Sequence, residues 1–219
     1  LPFHHRLQAT AASVPPVASA PAGTLEAVRQ EARHCTRCPL HCMATQTVFG
    51  QGPEQAKVMV VGEQPGDQED LADKPFVGPA GQVFNDVLRE VGLDRRSLYV
   101  TNAVKHFKYE ARGKRRIHQK PNQGEIQQCR WWLKQELDLV QPRLIVAMGA
   151  TAYFALTDEK QKLADVRSKP LTMEDGQVLF VTVHPSYLLR IPDPDLKAKE
   201  IIRFRQDMES VQRLAAGFA

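Results

Sequence analysis

Four apolar runs, each of strand length, recur along the chain and end at polar or glycine-bearing positions. Continuous runs of this kind are typical of strands buried on both faces of a parallel sheet. Three segments with a helical pattern lie between them. The runs occupy residues 57–66, 97–104, 142–149 and 178–186, and the helical segments occupy residues 80–92, 122–140 and 150–157. This alternation predicts an α/β fold, a three-layer sandwich with a mainly parallel central sheet.

The N-terminal segment has a different composition from the rest of the chain. Residues 1–23 are rich in Ala, Pro and Ser without apolar periodicity, so we expect a disordered linker or tail there. Because the chain begins at Leu1 and not at Met, we expect it to be part of a longer protein. Thr24 is placed to cap a short helix that delivers Cys35 at its end. One domain is therefore expected over residues 24–219.

The overall composition is that of an ordinary globular protein, with 42% hydrophobic and 25% charged residues. A formal net charge of +4 is too small to indicate a nucleic-acid partner by itself. No apolar stretch reaches the roughly 18 residues that a membrane span needs, and no secretory signal is evident. We therefore expect a soluble, cytoplasmic protein that is monomeric and has no membrane partner.

Polar residues follow the first strand, at the edge where parallel sheets bind ligands. Gly62, Glu63, Gln64, Gly66 and Asp67 form a loop in which backbone N–H groups can approach a ligand and carboxylates can act as bases or orient other groups. A turn with solvated acidic side chains is the alternative interpretation of this loop.

The other strand ends and their loops add further candidates. Phe76 lies between a proline and glycines and could stack on a base, although a loop Phe is often simple core. Asn102 ends the second strand, where an amide can pair with a pyrimidine edge or merely form a turn. His184, Ser186 and Arg190 follow the last strand, where an imidazole can stabilise a developing negative charge and an Arg can hold a phosphate.

Taken together, the ordered segments GEQPGD, PFVGPAG, TN and HPS resemble the uracil-DNA glycosylase superfamily over residues 24–208. Cys35 and Cys38, with Cys129 in a later helix, are similar to the iron–sulfur ligands of its families 4 and 5. Gln64 replaces the usual Ala of family 4, and residues 114–118 (KRRIH) are inserted after the second strand. Both departures resemble the UdgX subgroup, whose members form a covalent adduct with uracil-containing DNA.

This resemblance implies how the base is recognised and released. Phe76 would stack on a flipped uracil, and Asn102 would read its Watson–Crick edge. The Gln64 region would contact the base and backbone from the other side. His184 would stabilise the uracil anion as it leaves, while Arg190 and Ser186 would help to hold the DNA.

The resemblance also implies a covalent product. Glu63 would orient or deprotonate His118, and His118 would take the sugar carbon that water attacks in ordinary members. The chemistry is consistent with this, because loss of uracil leaves an oxocarbenium-like sugar that a neutral imidazole can trap. The expected function is recognition, flipping and excision of uracil followed by attachment of His118 to C1′ of the deoxyribose, in a single turnover. If His118 is not the nucleophile, Glu63 and Asp67 are the next candidates for that role.

Most of the local positive charge lies around His118. A basic loop is usually a solvated surface segment, but beside a DNA-repair site this charge would meet phosphates. The expected partner is uracil-containing DNA, preferably single-stranded. The basic residues are Lys105, Lys108, Arg112, Lys114, Arg115, Arg116 and Lys120, of which Lys114, Arg115 and Arg116 are the assigned DNA-binding residues.

A [4Fe–4S] cluster is the cofactor that the resemblance implies. Its ligands would be Cys35, Cys38, His106 and Cys129, because His106 stands where family 4 has a further Cys and imidazole can replace thiolate on cluster iron. Cys42 is the rival fourth ligand. Three Cys and one His could equally hold zinc, and only the resemblance favours iron.

Two other functions remain open from the sequence. An ordinary uracil-DNA glycosylase that releases uracil with turnover shares every motif except the use of His118. A non-catalytic iron–sulfur module that grips DNA is the second alternative, although a pure binder needs neither Glu63 nor His184.

Overall fold

The computed structural model describes residues 23–218, so all of the expected linker of residues 1–23 except its last residue lies outside the described residues. The strands within residues 23–218 are β1 (Val58–Gly62), β2 (Leu98–Asn102), β3 (Tyr109–Arg112), β4 (Arg115–His118), β5 (Leu144–Met148), β6 (Pro170–Thr172) and β7 (Val178–Thr182). The α-helices of the same described part are α1 (Leu25–Ala32), α2 (Asp67–Ala72), α3 (Pro79–Glu90), α4 (Gln123–Val140), α5 (Ala150–Thr157), α6 (Leu163–Val166), α7 (Pro185–Arg190) and α8 (Pro194–Ala216).

Five strands form the central sheet, in the order β2-β1-β5-β7-β6. The first four are parallel, and only the edge strand β6 runs antiparallel to its neighbour β7. The register aligns Gly62 with Asn102 and Met148 with Thr182. The loops that carry the candidate residues therefore leave the same edge of the sheet.

Alternate residues of each central strand point to opposite faces, and each face has its own hydrophobic core. On one face Met59 and Ile145 pack with residues of α1, α4 and α5. On the other face Val60 and Val146 pack with residues of α3, α7 and α8. The expected three-layer sandwich is confirmed, because both faces of the sheet are covered by helices.

The secondary structure also confirms the predicted elements. All four apolar runs contain a strand of the central sheet, and the three predicted helical segments correspond to α3, α4 and α5. Thr24 caps α1, where its hydroxyl accepts a hydrogen bond from the Ala27 N–H at 3.2 Å. None of the helices between residues 23 and 218 combines the length and apolar character needed to cross a membrane.

One element near the expected active site was not anticipated. The inserted basic segment forms an antiparallel hairpin of β3 and β4, in which Tyr109 pairs with His118 and Arg112 pairs with Arg115. Gly113 opens its two-residue turn with φ of 59°, a left-handed conformation that glycine adopts without strain. The hairpin returns the chain to the sheet edge and leaves His118 at its end.

Candidate active site

A cavity of about 370 Å³ opens at the carboxyl edge of the central sheet. It unites residues from five separate segments of the chain, most of them strand-end loops as expected. Glu63 does not line it and lies next to His118 instead. The lining residues are Gln64, Gly66, Asp67, Gln68, Glu69, Phe76, Pro79, Ala80, Asn102, His118, His184, Ser186, Leu189 and Arg190.

Phe76 and Asn102 lie against the backbone of Gly62, which forms one wall of the site. Phe76 has φ of 59°, a rare conformation for a residue with a side chain, and it is only 5% exposed. A Cβ on Gly62 would collide with the Phe76 ring and with Oδ1 of Asn102. A Cβ on Gly81 would collide with the Phe76 backbone. The two glycines therefore allow the close packing that fixes the ring and the amide.

Glu69 joins the two loops that enclose the cavity. Its carboxylate accepts hydrogen bonds from the Gly66 N–H at 3.1 Å and from the Gly78 N–H at 2.8 Å. Gly66 belongs to the loop after β1, and Gly78 follows Phe76. Because Glu69 is 8% exposed, these bonds are shielded from water and hold the two loops in a fixed relation.

His184 presents one defined ring nitrogen to the cavity. The Ser186 N–H donates to Nδ1 of His184 at 3.2 Å, and the Ser186 hydroxyl lies 2.8 Å from the same atom. A backbone N–H can only donate, so Nδ1 is the acceptor and the proton of the neutral ring is on Nε2. Burial, with the nearby charges of Arg190 and His118, lowers the pKa of His184 to about 4. At neutral pH this histidine is an uncharged hydrogen-bond donor.

His118 is paired with a carboxylate. Its Nε2 lies 3.4 Å from Oε1 of Glu63, and its side chain is 43% exposed. The other oxygen of Glu63 accepts a hydrogen bond from the Thr151 hydroxyl at 2.6 Å. Burial lowers the pKa of His118, the Glu63 carboxylate opposes this shift and Arg190 adds to it. Because its pKa is lowered, the His118 imidazole is neutral at neutral pH.

The hairpin is anchored to the loop after β1 by polar contacts. The Gln64 amide donates to the carbonyl groups of Lys108 and Gln119, both at 3.1 Å, and accepts from the Lys108 N–H at 3.3 Å. Arg116 forms ion pairs with Asp67 and Asp70, both at 2.5 Å. These contacts fix the position of the strand that ends in His118.

This geometry changes several expected roles. Gln64 lines the cavity, yet its amide is bound to the hairpin backbone. Arg116 was expected to meet phosphate, but its side chain is only 19% exposed and is bound to two carboxylates. Asp67 is in turn occupied by Arg116. Their contacts indicate structural roles, because groups already paired within the protein are not free for DNA.

The expected DNA-facing charge at Lys105 and Lys108 is also corrected. Lys105 is completely buried and pairs with Glu136 at 2.5 Å, while Lys108 pairs with Glu125 at 2.9 Å. No local sequence pattern indicates these partners, which lie on α4. Lys114 and Arg115 are exposed at the hairpin turn, beside a cleft of about 500 Å³ next to Leu71.

The three cysteines assigned to a cluster lie together in one buried region. Cys35 accepts a hydrogen bond from the Trp132 indole N–H at 3.0 Å, and Cys129 accepts one from the Lys105 N–H at 3.1 Å. Burial raises the pKa of Cys129 to about 12, against the opposing charge of Lys105. Cys38 is buried as well, and burial raises its pKa.

The two candidates for the fourth ligand differ in environment. His106 is 3% exposed, and its Nε2 lies 2.9 Å from the Thr47 hydroxyl. Its buried Nδ1 has no hydrogen-bond partner among residues 23–218. Cys42 is exposed, with its Sγ 3.3 Å from Nε2 of His41. Within residues 23–218 no three His, Cys, Asp or Glu side chains converge on a point where a single metal ion would bind.

Two residues that hold the site together by hydrogen bonds are not predicted from the sequence. Thr151 lies in the first turn of α5, and no local pattern links it to Glu63, which is 88 residues away. Glu69 is the second, and it is not among the residues that the sequence predicts for the site. Its spacing from Gly66 matches a helix capping box, which could have indicated its inward orientation.

Sequence comparison with known proteins identifies relatives of this chain. A sequence model of the Uracil DNA glycosylase superfamily matches residues 49–209. A type-4 uracil-DNA glycosylase of Thermotoga maritima is 36% identical over 174 residues, which cover 79% of this chain and 87% of the relative. A type-4 uracil-DNA glycosylase of Pyrobaculum aerophilum is 34% identical over 175 residues, covering 77% and 86%. This chain therefore belongs to the uracil-DNA glycosylase superfamily.

Proposed function

We propose that this protein excises uracil from DNA and then retains the DNA through a covalent bond between His118 and C1′ of the deoxyribose. Excision is supported by the family and by relatives named as uracil-DNA glycosylases. Covalent capture rests on one observation. The hairpin brings His118, backed by Glu63 at 3.4 Å, to the same cavity as Phe76, Asn102 and His184.

Uracil binds between the Phe76 ring and the polar edge formed by Asn102. The ring supplies a flat apolar surface for stacking, and the amide can donate and accept at the same time. Uracil has an acceptor where cytosine has an amine, so a fixed amide discriminates between these bases. The tight packing on Gly62 leaves both side chains little freedom to adapt to another base.

Cleavage of the glycosidic bond leaves its electron pair on uracil. The Nε2–H of His184 donates to the oxygen on which this charge accumulates. Because the pKa of His184 is about 4, its imidazole is neutral at neutral pH. It therefore stabilises the uracil anion by a hydrogen bond and carries no full positive charge. The sugar is left with oxocarbenium character at C1′.

His118 then supplies the electron pair that forms the new bond to C1′. The nucleophile is the ring nitrogen that does not face Glu63, and the proton remains on the nitrogen that faces the carboxylate. The resulting imidazolium is stabilised by the adjacent negative charge. Charge and atoms balance, because uracil leaves as an anion and the positive charge moves from the sugar to the histidine.

The buried cysteines fit an iron–sulfur cluster, and we assign Cys35, Cys38, Cys129 and His106 as its ligands. A cluster distributes its ligands over several irons, so they need not converge on one ion. His106 has an unpartnered buried Nδ1, and its Nε2 is placed to donate to Thr47, as a ligating histidine usually does. When bound, the cluster supplies structural cross-links among α1, α4 and the segment after β2.

The DNA strand crosses the cavity mouth beside Arg190 and the exposed end of the hairpin. Lys114 and Arg115 contact phosphates there, and a single strand reaches the cavity without the cost of opening a duplex. Uracil-containing single-stranded DNA is therefore the favoured substrate.

A denaturing gel tests this function directly. A labelled single-stranded oligonucleotide with one uracil is incubated with excess protein, boiled in detergent and separated. The expected result is a slowly migrating band that survives denaturation and alkali, while the thymine-containing oligonucleotide gives none. Free uracil with alkali-labile abasic DNA, and no shifted band, would identify an ordinary turning-over glycosylase. If neither free uracil nor a shifted band is detected, the protein is a binding module.

A further inference from the structure

Thr151 lies behind the pair formed by Glu63 and His118, outside the cavity that holds the base. Its hydroxyl donates to one oxygen of Glu63 at 2.6 Å, and the opposite oxygen faces His118 at 3.4 Å. Thr151 is 4% exposed, so water does not compete for this bond. The three residues therefore form a row in which each group orients the next.

The backbone of this row is rigid. Thr151 belongs to the first turn of α5, which packs against β1 and β5. Glu63 follows the last residue of β1, and its carbonyl accepts a hydrogen bond from the Val104 N–H at 3.0 Å. Since both backbones are fixed, only the side-chain torsions of Glu63 are free to change the direction of its carboxylate. The hydrogen bond from the Thr151 hydroxyl restrains these torsions.

We propose that Thr151 is a positioning residue that aims the Glu63 carboxylate at His118 and thereby sets the efficiency of covalent capture. This inference rests on the proposed function, because it concerns the step that follows loss of uracil. Thr151 touches neither the base nor Phe76, Asn102 and His184, so cleavage of the glycosidic bond does not depend on it.

Three variants of the full protein separate this role from a structural one. Thr151→Val keeps the shape and removes the donor, and Thr151→Ser keeps the donor. Thr157→Val is the matched control, because Thr157 is a hydroxyl residue of the same helix that bonds to the Tyr153 carbonyl at 2.9 Å, away from Glu63. Rapid-quench assays measure uracil release and adduct formation on the same oligonucleotide, and thermal melts measure folding.

Thr151→Val should form adduct about 10-fold more slowly, with abasic DNA appearing in its place, while uracil release stays within about twofold of the unmodified protein. Thr151→Ser should restore capture, and Thr157→Val should leave it unchanged. Equal capture by Thr151→Val and the unmodified protein would overturn the inference, as would an equal loss of release and capture.

A crystal structure of Thr151→Val keeps the inference testable even if the unmodified protein forms no adduct. In that case the capture proposal fails, and the position of the Glu63 carboxylate decides the role of Thr151. A carboxylate turned away from His118 supports positioning. A carboxylate still 3.4 Å from Nε2 of His118 contradicts it.

Discussion

Two histidines face one cavity, and their partners decide what each can do. His184 receives a hydrogen bond on Nδ1 from the Ser186 N–H, so its remaining nitrogen is a donor, and the residue lines the cavity. His118 faces the acceptor oxygen of Glu63, so its remaining nitrogen can carry a lone pair. Neighbouring groups with opposed environments commonly divide the acid and base roles of an active site. Under the proposed function, this division gives leaving-group stabilisation to His184 and capture to His118.

Replacement of His118 separates these roles. His118→Gly should lose the denaturant-resistant adduct entirely yet still release uracil, because the space left by the ring admits water to the same sugar cation. The variant should therefore turn over and leave alkali-labile abasic sites. His184→Ala should slow both outcomes by about 100-fold, since it acts before the paths divide. A His118→Gly protein that still formed the adduct would redirect the search for a nucleophile to Glu63.

The pH dependence of uracil release follows from the lowered pKa of His184. The reactive form is neutral, so it persists wherever the pH exceeds a pKa of about 4. In the unmodified protein, with uracil release measured by rapid quench, release should be flat from about pH 8 to about pH 5 and fall only as the pH nears that pKa. An acid limb at the ordinary histidine value of 6.5 would show that His184 is not held neutral as described.

Gly62 offers a test of the base pocket that leaves the polar groups in place. Gly62→Ala puts a methyl group between the Phe76 ring and Asn102, so both must shift. We expect uracil release to fall by about 100-fold, the usual cost of a displacement near 1 Å. Gly124→Ala is the control, because its added Cβ meets only ordinary contact with Asn122. Unchanged release in Gly62→Ala would argue against stacking on Phe76.

At the scale of elements, the strands that could be predicted from the sequence are those buried along their whole length. β1, β2 and β5 are buried along their whole length and β7 nearly so, so their sequences are continuous apolar runs. β3 and β4 are mostly exposed and read as a basic loop. α8 was not predicted, although Asp193 caps it and Phe204, Met208 and Val211 form its buried stripe.

The hairpin carries two adjacent arginines, of which Arg115 is exposed and Arg116 is paired with carboxylates. Substitutions at these two positions therefore form a matched pair of variants. Arg116→Met leaves the fully buried Asp70 without its counter-charge and should destabilise the fold by about 3 kcal/mol while weakening capture. Arg115→Met should leave the melting temperature unchanged but weaken DNA binding and lower the salt dependence of the binding constant by about one unit. Thermal melts and salt titrations measure both. A reversed pattern would place Arg116 on the DNA.

At the scale of the whole molecule, a buried polar network connects the base pocket with the cysteine region. Lys105 donates to the Asn102 carbonyl at 2.7 Å and to Glu136, and its own N–H donates to Cys129. Glu136 also accepts from the Tyr99 hydroxyl at 3.1 Å. The sequence shows Lys105 only as one charge in a basic stretch, because its partner is 31 residues away on α4. Long-range pairing of this kind has no local signature.

The candidate site was more predictable than this network, for a physical reason. The segments that hold Glu63, Asn102 and His184 end parallel strands, and parallel strands bring their carboxyl ends to one edge. Strand order therefore assembles residues that are distant in sequence. The conformation of Phe76 and the bond from Thr151 to Glu63 depend on packing, so they required the structure.

The cysteine region yields the last prediction. Protein purified without oxygen should be brown and contain iron, with Cys35, Cys38 and Cys129 buried around the cluster. His106→Ala removes the proposed fourth ligand and should make the cluster absorbance bleach in air at least about 10-fold faster, with a lower melting temperature. Cys42→Ala is the matched control. Cys42 is exposed and its sulfur contacts the ring of His41, so its loss should leave bleaching and melting unchanged. If Cys42→Ala bleaches and His106→Ala does not, Cys42 is the ligand, and zinc in place of iron would refute the cluster.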